Sequence, residues 1–206
     1  MRLPTYIYGL IYPAFLGSFL FGALAAPFPD NMHVWAALLM ILYFSAQYGE
    51  GAVIANNPDL GIAAQYGRSE AAIDLGEILA MVAIMAAIGI FGDAPSGLVG
   101  RLFDPASRFD HWGWMALAFA LPPLGRVLLS FWGRHPDRRS HDVKAHGRLT
   151  ALSLSAAVGS LLGYIAPALG LGVISASLMT YLVLLLGRPD IGEAPVHETL
   201  SRHRRT

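Results

Sequence analysis

Six apolar stretches follow one another along this chain with little between them, and that pattern limits the fold to a helical bundle built for lipid. A helix needs about 20 mainly apolar residues to cross a bilayer, with about 17 as the lower limit. Residues 6–26, 33–55, 70–91, 111–132, 149–169 and 170–186 each qualify. Backbone groups in hydrocarbon must be hydrogen-bonded within the segment, which a helix does by itself. The predicted class is therefore all-α: a polytopic membrane helix bundle of six spans in one domain of residues 1–206, with a basic tail over 187–206. The composition agrees, with 55% hydrophobic and 14% charged residues and a mean hydropathy of +0.51. The fifth and sixth stretches are separated only by the glycines around Leu169 and Leu171, so they form a tight hairpin or, failing that, one long span with a re-entrant piece. The first stretch lacks a basic leader, and we read it as a retained helix rather than a cleaved signal.

Basic residues set the orientation. The segment 133–148 holds Arg134, Arg138, Arg139, Lys144 and Arg148, and the tail holds Arg202, Arg204 and Arg205. Positive charge stays on the cytoplasmic side, and six crossings return the tail to the side of Met1, so both ends are expected inside. A polybasic segment beside a membrane also gains roughly 1 kcal/mol per basic residue against anionic lipid, which makes the 133–148 loop a lipid-headgroup contact. Low lysine with abundant alanine, glycine and arginine points to a bacterial inner membrane. Tyr6, Tyr8, Tyr12, Trp35, Trp112, Trp114 and Trp132 fall near predicted helix ends and are expected to anchor at the headgroup level.

Excluded chemistries narrow the function. The formal net charge is zero, so no global field argues for nucleic acid. There is no cysteine, hence no disulfide or thiolate metal site. His135, His141 and His146 lie among arginines at spacings that put no two on one helix face, and His33 and His111 are expected to be solvated at the outer side. No metal site is assigned. No phosphate-cradling loop, nucleophile elbow or haem pattern is present, so no cofactor is expected.

An ionised side chain deep in a bilayer is costly and faces the protein interior, where it commonly serves function. Glu50, Asp74, Glu77 and Arg126 are such residues. Counted from the helix ends, Glu50, Glu77 and Arg126 lie on the order of 10 Å inside the cytoplasmic boundary. Residues three and four apart share a face, so Tyr43, Gln47 and Glu50 form one polar stripe, and Glu70, Asp74 and Glu77 form a second. These stripes are expected to meet, with Arg126 satisfying one carboxylate and leaving a surplus acid. Pro122 and Pro123 precede Arg126; they remove the donors to the carbonyls of Ala118 and Phe119 and are expected to kink or break that helix. Ser155, Gly159 and Gly163, in register with Ala151, make a small-residue face for a neighbouring helix or for a second copy or other membrane partner.

The function expected from these residues is a transporter or channel for a cation, proton or small solute, acting through Tyr43, Gln47, Glu50, Asp74, Glu77 and Arg126. The alternatives are an intramembrane enzyme using an acidic group on a lipid or isoprenoid, and a subunit or assembly factor of a membrane complex. The cysteine-free chain allows a direct orientation test. A cysteine at Ser140 should react with an impermeant maleimide only from the cytoplasmic face, and one at Asn31 only from the opposite face; the reverse labelling inverts the topology.

Overall fold

The computed structural model describes residues 3–56, 68–90, 111–131 and 143–187, and among these all regular structure is helical. The first helix runs in three consecutive pieces, Leu3–Tyr6, a π-helical turn Ile7–Ile11 and Tyr12–Ala25, together α1. Five more follow: α2 Asn31–Asn56, α3 Arg68–Ala87, α4 His111–Phe131, α5 Val143–Leu162 and α6 Pro167–Leu186. The basic loop up to residue 142, the tail from 188, the connections 57–67 and 91–110, Trp132 and the Glu70 and Arg126 side chains lie outside the described residues.

Local chemistry explains the helix ends. The π turn precedes Pro13, which has no N–H for the Gly9 carbonyl and whose ring crowds it; the wider turn, closed by Tyr12 N–H donating to Ile7 O, relieves that crowding. Asp30 caps α2. Its Oδ1 accepts from the His33 backbone N–H at 2.9 Å and from His33 Nδ1 at 2.8 Å, and the imidazole contact, followed by the backbone one, holds its carboxyl below the usual range. Pro167 opens α6 at its first turn, where a missing N–H costs nothing. The hairpin turn therefore falls at residues 163–166, earlier than the glycine-rich segment suggested.

The principal helix contacts trace a closed ring: α1 touches α2 and α3, α3 touches α4, α4 touches α5, α5 touches α6, and α6 returns to α2. Inside lie Tyr12, Phe19, Met40, Phe44, Met81, Ile84, Met115 and Phe119, all fully buried. The outward faces are apolar as well: Leu10, Phe21 and Leu24 on α1, Trp35 and Leu38 on α2, Leu79 on α3, Leu117 on α4, Val158 on α5 and Val183 on α6 are exposed. By length and composition, Ile7–Ala25 and Pro167–Leu186 can cross a membrane, and Gly147–Leu162 is a shorter apolar helix. The expected count of six such spans thus meets two among the described residues. Gln47 and Glu50 in α2, and Arg68, Glu70, Asp74 and Glu77 in α3, lower the apolarity of those two helices.

The tightest joint is the α5–α6 hairpin. A Cβ on Gly170 would stand 2.8 Å from the Gly159 carbonyl oxygen and 2.7 Å from the Gly163 nitrogen, so the two backbones touch. Gly159 faces Val173 and Ile174, Gly163 faces Trp112, and Ser155 accepts from the Ser177 hydroxyl at 3.0 Å. The small-residue face of Ser155, Gly159 and Gly163 is therefore filled within the chain by α6 and Trp112. Overpacking such a contact costs about 1–3 kcal/mol, so Gly170→Val should lower unfolding stability in detergent by that amount. Gly172→Val, whose added atoms meet open space, should change it far less; equal effects would show that the close approach is not the cause.

Candidate functional site

The site begins with a backbone deficiency. Pro122 and Pro123 cannot donate to the carbonyls of Ala118 and Phe119, yet α4 stays helical through both. The two oxygens receive side-chain donors instead: Tyr43 OH from α2 donates to Ala118 O at 3.3 Å, and Ser153 Oγ from α5 donates to Phe119 O at 2.6 Å. The expected break is absent because neighbouring helices answer the freed carbonyls. Gly125 and Gly76 bring α3 and α4 together beside this point, against Ile73 and Leu121 respectively.

From Tyr43 the polar stripe of α2 continues as its spacing implies. Tyr43 and Gln47 are buried, and Glu50 is half-buried. Their common partner is Tyr181 of α6. Gln47 Nε2 donates to the Tyr181 hydroxyl at 2.8 Å, and that hydroxyl donates to Glu50 Oε2 at a long 3.5 Å. The Tyr43 ring packs edge-on to Phe119 at 4.7 Å and to Tyr181 at 6.4 Å. Beside them lies a cavity of about 10 Å³, the room of a single water, lined by Tyr43, Phe119, Leu152, Ser153, Ala156, Ser177, Leu178 and Tyr181.

The acidic stripe of α3 is placed differently from expectation. Glu77 is 3% exposed and Asp74 half-buried, but α3 and α2 each pack against α1 and make no principal contact with each other. Between the stripes stands Tyr12, within electrostatic range of Glu77, Tyr43, Tyr8 and Asp74. Its ring is stacked between Tyr8 at 5.7 Å and Tyr48 at 5.8 Å. Tyr8 occupies the space that a side chain on Gly51 would need. Tyr8, Tyr12 and Trp112 are thus buried core and not headgroup anchors, because the inward face of α1 and the start of α4 pack against other helices; Tyr6 and Trp35 are exposed as anchors would be.

Of the residues singled out from sequence, the structure joins Tyr43, Gln47 and Glu50 through Tyr181, and sets Asp74 and Glu77 across Tyr12 from them. The Arg126 backbone lies one turn beyond Pro122 on α4. Sequence reasoning missed Tyr181 and Ser153. Neither carries a charge, and each is an ordinary helix residue until the fold supplies its partner. Of the two histidines at the far end, His111 is buried rather than solvated, and its ring lies 4.8 Å from that of His33, which is part-exposed and bonded to Asp30. Among the described residues no three histidine or carboxylate side chains converge on a common metal position.

A cluster of buried carboxyl, amide and phenol groups can hold and pass protons or answer a small cation, since each hydroxyl both donates and accepts. The carbonyl arrangement makes a separate prediction. Ser153→Ala should cost about 1–3 kcal/mol by stranding the Phe119 carbonyl. Combined with Pro123→Ala, which restores an N–H for that oxygen, the same change should cost less, with a coupling of at least about 0.5 kcal/mol in a double-mutant cycle. Additive effects would sever the link between the proline and the serine.

Comparison with protein-family models, with curated proteins and with solved structures finds no match to this chain.

Proposed function

We propose that this chain crosses a bacterial inner membrane six times with both ends in the cytoplasm, and that it moves a cation, a proton or a small solute through the polar cluster at the cytoplasmic end of its bundle. The observation that carries this reading is a contrast within one molecule. Every helix of the ring carries exposed apolar side chains on its outside, with Phe21 at 73% and Leu24 at 77% exposure, while Gln47 and Glu77 are buried inside it. A soluble bundle would have these positions reversed, because exposed apolar patches and buried carboxyl groups both cost free energy in water. Two helices long and apolar enough to cross a membrane support the same environment.

Burial of polar groups is tolerated where they serve a pathway or a site. Helix direction places this cluster at one end: Glu50 lies toward the end of α2, Asp74 and Glu77 toward the start of α3, Arg126 and Tyr181 toward the ends of α4 and α6, and Tyr8 and Tyr12 toward the start of α1. Six alternating helices bring all of these to the face where the basic loop and tail also belong. All but α5 contribute to it, and α5 supplies Ser153 behind it. In this reading the Tyr181 hydroxyl and Gln47 hold Glu50 in place, Glu77 is the deeper acid, and Arg126 balances the charge of the pair.

The test is flux into liposomes carrying the purified protein, read with sodium, potassium and proton indicators. Glu50→Gln and Glu77→Gln should each slow the flux by at least about tenfold, or ~1.4 kcal/mol in the barrier. Ser18→Ala, a surface change on α1, should leave it at the wild-type rate. Folded wild-type protein that passes no ion, or flux indifferent to both carboxyl substitutions, sinks the proposal.

A further inference from the structure

The buried group that the hydrogen bonds leave unexplained is Tyr12. It is completely buried, and its hydroxyl makes no hydrogen bond to the described protein. Phenylalanine would fill the same space without leaving a polar atom unsatisfied, which is unfavourable in an apolar interior. The ring is packed in the core and stacked with Tyr8, inclined at 20°, and with Tyr48, inclined at 28°. The notch at Gly51 keeps Tyr8 in that stack. The oxygen is thereby held at a chosen point without a bond of its own.

That point is the centre of the cluster. Titratable groups approach it from each neighbouring helix: Tyr8 on α1, Tyr43 and Tyr48 on α2, Asp74 and Glu77 on α3. Because α1 is inserted between the two polar stripes, Tyr12 is the hydroxyl that stands between the α3 carboxyls and the Tyr43, Gln47 and Glu50 side. A phenol hydroxyl donates and accepts at the same atom, which suits relay of a proton.

Resting on the reading of this cluster as a transport site, we propose that the species carried is the proton, and that the Tyr12 hydroxyl passes it between Glu77 and the Tyr43 side through a water molecule. In one transfer the phenol O–H bond breaks as its proton bonds to a bridging water, which in the same step gives one of its own protons to a carboxylate oxygen of Glu77. A proton from hydronium on the Tyr43 side bonds to the phenol oxygen in the same step. The hydronium becomes water, the hydroxyl is regenerated, and no oxidant or other co-reactant is required.

The experiment measures proton flux in proteoliposomes for wild type, Tyr12→Phe and a protein with ring-fluorinated tyrosine at position 12. Tyr12→Phe should stay as heat-stable as wild type and lose at least about tenfold in proton flux. The fluorinated tyrosine keeps the shape and the hydroxyl but is a stronger acid, so it should retain flux with a pH profile displaced to lower pH. A purely structural tyrosine would give a profile superimposed on wild type, and that result overturns the proposal. So does full flux in Tyr12→Phe, or wild-type protein that passes sodium or potassium but no protons. In both of those cases the transport reading survives if Glu77→Gln still abolishes flux. Absence of any flux from folded wild type removes both.

Discussion

A carbonyl oxygen in an apolar interior has to find a donor, and the two that Pro122 and Pro123 deprive organise the centre of this molecule. A freed carbonyl inside protein is stable only when a neighbour answers it, so α2 and α5 are drawn onto α4 by Tyr43 and Ser153. The Tyr43 bond crosses the helix ring, and the Ser153 bond joins two neighbours within it. They explain why α4 remains helical through both prolines and why its neighbours present hydroxyls there and not methyl groups. The same Tyr43 opens the polar stripe that runs through Gln47 to Glu50. The residue that repairs the backbone is therefore also a member of the candidate site.

Around this centre the ring is built in two manners. On one side α5 and α6 meet backbone to backbone at Gly159, Gly163 and Gly170, and α4 closes on them with Trp112. Such contacts leave no room for adjustment. On the other side α1 is held by rings, Tyr8 on Tyr12 on Tyr48 and Phe19 against Phe44 at 6.2 Å, and its helix carries a π turn where Pro13 disturbs the ladder. Stacked rings locate a side chain without consuming its hydroxyl, and the Tyr12 hydroxyl makes no hydrogen bond to the described residues. The rigid side thus supports the aromatic side, where the titratable groups collect. At the opposite end of the bundle, Asp30, His33 and His111 form a second polar group that caps α2 and packs it on α4.

The legibility of these features from sequence followed their range. The stripe of Tyr43, Gln47 and Glu50 was readable because residues three and four apart share a face whatever the fold. The freed carbonyls of Ala118 and Phe119 were readable because proline chemistry is local. Their donors were not, since Ser153 and Tyr43 lie far from them along the chain. The meeting of two acidic helices was half right: both face inward, but α1 intervenes, and no periodicity within α2 or α3 contains that information. Tyr8, Tyr12 and Trp112 looked like interfacial anchors because their positions near helix ends fit that role equally well; only packing tells an inward ring from an outward one. The glycine and serine face of α5 named a close partner, and the fold decided that the partner was α6.

The sequence by itself determined the helical class, the approximate bounds of the helices, the residues too polar for an apolar environment, and the place where α4 loses its own hydrogen bonds. These depend on composition, spacing and the covalent character of proline, all of which act within a few turns of chain. The tertiary structure decided which helices are neighbours, that Tyr181 links Gln47 to Glu50, that Tyr12 stands between the carboxyls of α3 and the stripe of α2, and that the far histidines are packed together. Those outcomes depend on the closing of the helix ring, in which residues more than a hundred positions apart come within hydrogen-bond distance, and no local pattern encodes that closure.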